Sequence, residues 1–473
     1  MEAYQDVQSV PVRHADGTLH NFTLRVGGSS FRCECGLKLE GLSLAHCGGF
    51  EQLDIAFEPD VTLIAGVNGV GKSTVLHALA VLLSRALPEF TPSRSAPLYF
   101  TDDDIYGDKS SLEVSARIQI DGQTINAGVQ RLRAADDKGD RFMLLRQAKA
   151  ATAATDFAQA LSVRTLTGEL EAGIKETRVA LATLKSAANP PLAVYFSPKR
   201  QLPGQPRSLP EAKPFEPSIA YGHALHDREV ELREFMHWFR TQEKMGGASE
   251  PRRLKVLDAL RAVVSELVPE FSNLRIQEQP RLGFVVDKRG QPFYLHQLSD
   301  GERGLLALVF DLTRRLAIAT PNSDNPIADG VALVLIDEIE LHLHPKWQRD
   351  VIKQLPSIFK SCQFVITTHS PQVIGETEAR CVRLLSWRNG KVVVDTPAMA
   401  YGTDSNWILS VLMGADEMTE DVGSKLENAS RLISERNLDS AKDLIQTLRS
   451  DVGNTEAIQR LASLIERIER LGK

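Results

Sequence analysis

The sequence predicts an α/β fold in which a parallel sheet, buried on both faces, is assembled from segments far apart in the chain. Three observations carry this. Residues 61–65 (VTLIA), 331–336 (VALVLI) and 364–367 (FVIT) are short continuous apolar runs, the pattern of strands covered on both sides. The first run leads through a glycine-rich loop into a helical pattern from about residue 73 to 87. More than two hundred residues separate the first run from the other two, so the domain is split into two lobes by an insertion.

The elements follow in order. Residues 18–26 alternate weakly and suggest a small β element. Residues 37–44 and 53–57 read as two strands joined through a Gly48–Gly49 turn. Residues 112–120 (LEVSARIQI) alternate strictly, and Asp121–Gly122 marks a hairpin turn. Residues of about 125–190, rich in Ala, Lys, Arg and Glu, read as solvent-facing helices, followed by a strand at 192–196. Six prolines make 197–220 an irregular loop. Helices are expected at about 229–240 and 252–267, a strand at 282–286 with a turn at 288–290, and a helix from near Gly301 with Leu305, Leu308, Leu312 and Leu316 on one stripe. The tail, about 423–473, reads as two helical repeats whose Leu and Ile stripes suit packing on their own lobe or an oligomer interface, the latter favoured slightly. The expected division is 1–125, lobe I; 126–274, a mostly helical insertion; 275–400, lobe II; and 401–473, a helical tail.

Composition narrows the class. The chain has 473 residues, 42% hydrophobic and 25% charged, which excludes a disordered or fibrous protein. A net charge of −6 argues against coating by nucleic acid through bulk charge. Five cysteines, an odd number, argue against a disulfide scaffold. No apolar run is long enough to span a bilayer, and the opening MEAYQDVQSVPVRH lacks a basic region followed by an apolar core. The expectation is a cytoplasmic protein without a membrane partner.

Four motifs carry chemistry. Gly66-Val67-Asn68-Gly69-Val70-Gly71-Lys72-Ser73 matches the phosphate-binding loop, with Thr74 next on the helix. Backbone N–H groups of such a loop curl around phosphate oxygens, Lys72 reaches the β and γ phosphates, and the Ser73 hydroxyl ligates Mg²⁺. The strand at 331–336 ends in Asp337 and Glu338. That places one carboxylate for the metal and one beside an attacking water, as phosphoryl transfer requires. LSDGERG (298–304) places Ser299 or Asp300 as the N-cap of a helix. His369 ends the strand at 364–368.

These blocks support a resemblance. LIDEIELHLHPKWQRD (335–350), FVITTHSPQVI (364–374), LSDGERGLLALVFDL (298–312), REFMHWFRTQE (233–243) and YGTDSNWILSVLMG (401–414) resemble bacterial ABC-type ATPases of the SMC, RecF and OLD superfamily. More narrowly, they are similar to the small ATPases that include the PtuA subunit of Septu and retron antiphage systems. The resemblance covers roughly 37–473 and implies ATP and Mg²⁺ as cofactors. It implies catalytic roles for Glu338, His369 and Lys72, and metal ligation by Ser73 and Asp337. It implies that Ser299, Asp300, Gly301 and Glu302 are the signature that contacts the γ-phosphate held by another subunit. The site would then be composite, formed by a homodimer or higher homo-oligomer of ATP-sandwiched heads, and one copy alone would hydrolyse ATP slowly.

The same resemblance implies a regulatory switch in antiphage defence. Its partner would be a separate HNH-type nuclease, with or without a retron reverse transcriptase and its nucleic acid. The alternative is an SMC- or RecF-like ATPase of DNA repair or maintenance, which would take DNA itself as partner. A glutamine loop does not match cleanly, and Gln201 is the nearest residue. Cys33, Cys35, His46 and Cys47 lack zinc-knuckle spacing and read as strand residues. His342 and His344 read as packing or interface residues, and Phe50 as core or an adenine neighbour. Lys199, Arg200 and Arg207 read as a solvated loop or a contact to nucleic acid or a nuclease.

Overall fold

The computed structural model describes residues 7–13, 19–25, 36–133, 140–146, 157, 161, 168–186, 189–202, 204, 206–246, 251–412, 420–434, 436–453 and 456–471. The fold is α/β, built on two large sheets with one helix between them. The parallel sheet contains β5 (Val61–Gly66), β9 (Leu192–Phe196), β13 (Ala332–Ile336), β14 (Cys362–Thr368), β15 (Val382–Arg388) and the antiparallel edge strand β16 (Lys391–Asp395). Their order is β16-β15-β5-β14-β13-β9. Every residue of β5, β13 and β14 is buried, which is why their sequences carry no alternation.

The second sheet is antiparallel, ordered β4-β3-β6-β7-β8. Its strands are β3 (Leu37–Cys47), β4 (Phe50–Ala56), β6 (Ser111–Ile120), β7 (Gln123–Leu132) and β8 (Arg141–Arg146). The hairpin β1 (Val7–Arg13) and β2 (Leu19–Arg25) forms a two-stranded sheet of its own. Helix α1 (Lys72–Ala86) shares one core with β3, β4, β6, β7 and one face of the parallel sheet. From Val75 to Leu83 only His77 is exposed, because both sides of the helix meet a sheet. Gln363 of β14 ties the sheets directly. Its Oε1 accepts the N–H of Leu39, and its Nε2 donates to the carbonyls of Leu39 and Glu58 (2.7–2.9 Å).

Residues 123–132 and 141–146 are strands, where composition suggested helices, so the antiparallel sheet runs on past residue 125. The physical reason lies in β7. Asn126, Gln130 and Arg131 are buried polar residues, and Gln130 donates to Glu113 across the strand pair (2.8 Å). Polar side chains satisfied inside the sheet hide the apolar alternation. Helix α2 (Gly168–Ala182) is the long helix that the described residues show in this part of the chain.

The other face of the parallel sheet carries α3 (Leu232–Met245), α4 (Pro251–Leu267) and α5 (Asp300–Ala319), with the small sheet β10 (Phe271–Gln277), β11 (Gly283–Lys288) and β12 (Gln291–Tyr294). Phe235 of α3 stacks on Phe310 of α5 with ring centroids 4.2 Å apart, and Phe239 meets Phe284 of β11 edge-on at 4.9 Å. Beneath α5 lies a buried ion cluster. Asp311 accepts from Arg315 (2.7 Å), Arg314 (2.9 Å) and Arg228 (3.2 Å), and Arg314 also pairs with Glu234 of α3 (2.8 Å).

The tail is three helices rather than two: α7 (Glu420–Ser434), α8 (Leu438–Val452) and α9 (Glu456–Leu471). Ala429, Ile433, Ala441, Ile445, Leu448, Ile458 and Ile465 bury one another, so the apolar stripes pack within the tail. No helix among the described residues is long and apolar enough to cross a membrane.

Burial alone would raise the Asp311 carboxyl, but the charges of Arg315, Arg314 and Arg228 overcome it and hold the group below the usual carboxylate range. A depressed native pKa contributes stability that is present above the unfolded value of about 4 and is lost as pH falls below it. Asp311→Asn should therefore lower unfolding stability by about 3–5 kcal/mol in urea titration at neutral pH. The gap between wild type and variant should narrow when the titration is repeated below about pH 4.

Candidate functional site

The C-terminal ends of β5, β14, β13 and β9 lie side by side, with Thr368 opposite Ala65, Ile336 opposite Ile366, and Phe196 opposite Ile336. Loops leaving this edge of an open parallel sheet form its usual binding crevice. The phosphate-type loop leaves β5, and two of its glycines, Gly66 and Gly71, are sterically required. Gly71 sits at φ +103°, and a Cβ there would come within 2.4 Å of the Phe50 ring. A Cβ at Gly66 would come within 2.5 Å of the Leu385 carbonyl oxygen. Phe50, buried under the loop, is thus core packing that sets the loop's height. Val70 is buried and Val67 half-buried, whereas Asn68, Gly69 and Ser73 are exposed. Thr74, half-buried, packs against Gly48 of the β3–β4 turn.

Gly71 caps α1 without a side-chain hydrogen bond. Among the described residues the first-turn amides therefore carry no side-chain partner, as an anion site at a helix N-terminus requires. Lys72 is 6% exposed, and its Nζ donates to the carbonyls of Gly66 and Val67, both at 2.9 Å. Burial draws its pKa down, opposed by the charges of Glu340, Glu338 and Asp337.

Asp337 is 2% exposed. Its Oδ1 accepts the Thr367 hydroxyl, and the same hydroxyl accepts the N–H of Glu338 at 2.8 Å. Burial and the charge of Asp337 raise the neighbouring Tyr195 phenol. Glu338 is half-buried in the left-handed region, φ +48°. Arg200 explains how this turn is held. Its guanidinium donates to the carbonyls of Asp337 (2.5 Å), Glu338 (2.6 Å), Ile339 (3.2 Å) and Ser197 (3.3 Å). Burial lowers its pKa to about 10, against the pull of Glu340, Asp337 and Glu338. His369 follows β14 and donates its backbone N–H to Glu340 (2.5 Å).

The edge therefore gathers Lys72, Asp337 and Glu338, with His369 beside Glu340. Glu340 and Thr367 were not singled out in the sequence, and Arg200, read there as a solvated or partner-contacting loop residue, is instead buried on backbone carbonyls. Glu340 was findable, as a third acid two residues after the strand-end pair. Arg200 was hidden among basic loop residues, of which Lys199 pairs with Asp227 (2.7 Å) and Arg207 is exposed. Gln201 is half-buried, with its carbonyl accepting from Val230.

Ser299 is the N-cap of α5 in a reciprocal box with Glu302. The Glu302 carboxylate accepts the Ser299 N–H and hydroxyl (2.9 Å each), and Lys288 pairs with its other oxygen (2.7 Å). Asp300 pairs with Arg303, which lowers its pKa. Gly301 packs so closely on the His342 carbonyl that a Cβ would lie 2.2 Å from its oxygen. His342 is thus backbone packing, and His344 caps the helix α6 (Pro345–Ile358) through its ring. Among the described residues no hydrogen bond or ion pair links 299–302 to 66–74.

No group of three or more His, Cys, Asp or Glu among the described residues is arranged to hold a metal by itself. Magnesium fits nonetheless, because it takes one or two protein oxygens and keeps water and phosphate for the rest. Ser73, exposed at the start of α1, and Asp337, whose second carboxylate oxygen is not engaged by Thr367, would supply two such oxygens. Cys47 is buried, and burial with the charge of Asp104 raises its thiol to about 12. Cys33 and Cys35 lie outside the described residues.

A family model described as "AAA domain, putative AbiEii toxin, Type IV TA system" matches residues 61–375, from the first residue of β5 past His369. The chain belongs to this family. The retron Ec83 probable ATPase of Escherichia coli is 39% identical to this AAA-domain protein over 218 residues, 45% of this chain and 39% of that protein. The Septu protein PtuA of Bacillus mycoides (strain KBAB4) is 40% identical over 77 residues, 16% of this chain and 10% of that protein. The matches thus span well under half of these relatives' length. The SMC head domain from Thermotoga maritima aligns with 76% of this chain and 100% of its own, at 15% identity and a TM-score of 0.40.

Gly71→Ala should leave the secondary structure intact but displace the Phe50 ring and distort the loop. Binding of a fluorescent ATP analogue should weaken at least about tenfold, since a left-handed L-residue costs about 1–2 kcal/mol before any clash is counted.

Proposed function

We propose that this chain is an ATP-hydrolysing subunit that acts as the switch or scaffold of an antiphage defence complex. The observation that carries the enzymatic part is Lys72. It is a buried ammonium parked on its own loop's carbonyls, in the field of Glu340, Glu338 and Asp337. A cation held there by two neutral carbonyls is ready to exchange them for phosphate oxygens, which pair with it more strongly.

In this reading the loop amides and the α1 N-terminus bind the triphosphate, and Lys72 turns to its β and γ groups. Ser73 and Asp337 would hold Mg²⁺, which neutralises charge developing on the transferred phosphoryl group. Glu338 orients and deprotonates the attacking water, and Arg200 keeps its strained turn in place. His369 contacts the γ-phosphate. Ser299 and Gly301 of a second copy close the site, with Asp300 and Glu302 framing them. The N-cap position of Ser299 supports this, because a helix N-terminus offers amides to an anion. An isolated copy lacks those groups, which supports slow turnover.

The defence role is supported by family membership and by relatives whose names place them in retron and Septu systems. The effector in this reading is a separate HNH-type nuclease.

With Mg²⁺ and ATP, Glu338→Gln should shift from one copy to two in light scattering, and Lys72→Ala should not. A Glu338→Gln protein of unchanged mass would sink the composite site. Tagged Glu338→Gln recovered from its host should bring a nuclease identifiable by mass spectrometry. DNA and repair proteins without a nuclease would instead support genome maintenance.

A further inference from the structure

The acid nearest His369 is Glu340, not Glu338. Oε1 of Glu340 accepts the backbone N–H of His369 at 2.5 Å, and the ring Nδ1 lies 2.9 Å from the same oxygen. The ring approach is out of line, so among the described residues two buried atoms at one spot are left without hydrogen-bond partners: Nδ1 of His369 and Oε2 of Glu340. Glu340 is only 4% exposed. A buried carboxylate oxygen without a donor is costly and rare, and it marks a group waiting for one.

The surroundings fix where that donor acts. Among the acids beside Lys72 and Arg200, Glu340 exerts the largest charge effect on each. The loops carrying Glu340 and His369 are also cross-tied. Gln348 donates to the Leu343 carbonyl (2.9 Å) and accepts the Ser370 hydroxyl (2.7 Å). Neither loop can drift from the other, so a small rotation of the ring or the carboxyl is enough to straighten the contact. With Nδ1 buried against Glu340, the 41% exposure of the His369 side chain falls on the rest of the ring.

We propose that Glu340 is a positioning residue for His369: its carboxylate takes the Nδ1–H of the ring and so turns Nε2 toward the phosphate end of the site. A carboxylate that holds a histidine's far nitrogen fixes both tautomer and orientation. This inference rests on the ATPase reading above.

The test is steady-state ATPase kinetics on the full chain, with wild type, Glu338→Gln, Glu340→Gln, His369→Gln and the double variant Glu340→Gln/His369→Gln. Glu338→Gln should be inactive. Glu340→Gln should lower kcat about tenfold or more with KM for ATP within about threefold, and the double variant should be no slower than the slower single, because the two residues act as a unit. Glu340→Asp, which keeps the charge but shortens the reach, should also lose kcat and serves if the amide variant folds poorly. A second readout needs no turnover. In ¹⁵N-histidine-labelled protein without nucleotide, the signal lost in His369→Gln should report a protonated Nδ1, and Glu340→Gln should shift it toward the other tautomer. Wild-type kcat in Glu340→Gln, additive losses in the double variant, or an unmoved tautomer would overturn the role of Glu340 while leaving the ATPase reading intact. Wild-type turnover in Glu338→Gln would overturn both.

Discussion

One buried guanidinium holds the turn on which the acids stand. Arg200 spends its donors on the carbonyls of Ser197 and of three consecutive residues, Asp337, Glu338 and Ile339. The Glu338 carbonyl also accepts the Leu341 N–H and the Ser197 carbonyl the Arg200 N–H, but burying those of Asp337 and Ile339 unpaired would be costly. Glu338 also adopts a left-handed backbone, unfavourable for a residue with a side chain. The planar fork of arginine spans several carbonyls at once, which an ammonium cannot do. The strain is thus balanced from the loop that follows β9, a strand of the parallel sheet that lies within the segment expected as an insertion, so that segment helps to build the edge where the acids stand.

The same economy appears in how the sheets are joined. The phosphate loop can be stiff only because α1 is packed on both sides and Phe50 fills the space beneath Gly71. Gln363 then fastens β14 to β3, so the strand that ends in His369 moves with the sheet that carries Phe50. On the opposite face, the aromatic stack of Phe235 and Phe310 and the Asp311 cluster fasten α5 to the insertion. Ser299 at the start of α5 is therefore placed by contacts made along the helix behind it.

Legibility in the sequence followed the physics of each segment. The glycine loop was readable because close approach at Gly66 and Gly71 admits no other residue. Strands β5, β13 and β14 were readable because burial on both faces leaves a continuous apolar run in each, with the few polar residues satisfied inside the fold. Strands β7 and β8 were not, because β7 buries Asn126, Gln130 and Arg131, and Arg131 is satisfied by Asp102 (2.9 Å) and Asp140 (3.4 Å) from other segments. Pairing between distant residues is invisible to local periodicity. Arg200 was missed for the same reason, since a charge in a proline-rich loop reads as solvated until its carbonyl partners are known. The tail's apolar stripes were legible, but the first of them, Leu432 to Leu448, runs over two helices, because the chain turns at Arg436 (φ +60°) and restarts at the Asn437 cap of α8.

Ser299 carries a further consequence. Its hydroxyl and N–H are both engaged by Glu302, which is itself held by Lys288. A hydroxyl committed to its own capping box is not free for a phosphate, so any use of it in another subunit's site must displace a local charge-assisted hydrogen bond worth about 1.5–3 kcal/mol. Lys288 softens that exchange, because it keeps the Glu302 carboxylate paired when Ser299 leaves. In the proposed composite site the cap would set a threshold: a ligand would have to offer more than Glu302 does, as a fully charged γ-phosphate could, to draw the serine away, and a diphosphate, lacking that group, would leave the cap closed. Discrimination between the two nucleotides would then be built into the helix N-terminus itself, without any lid.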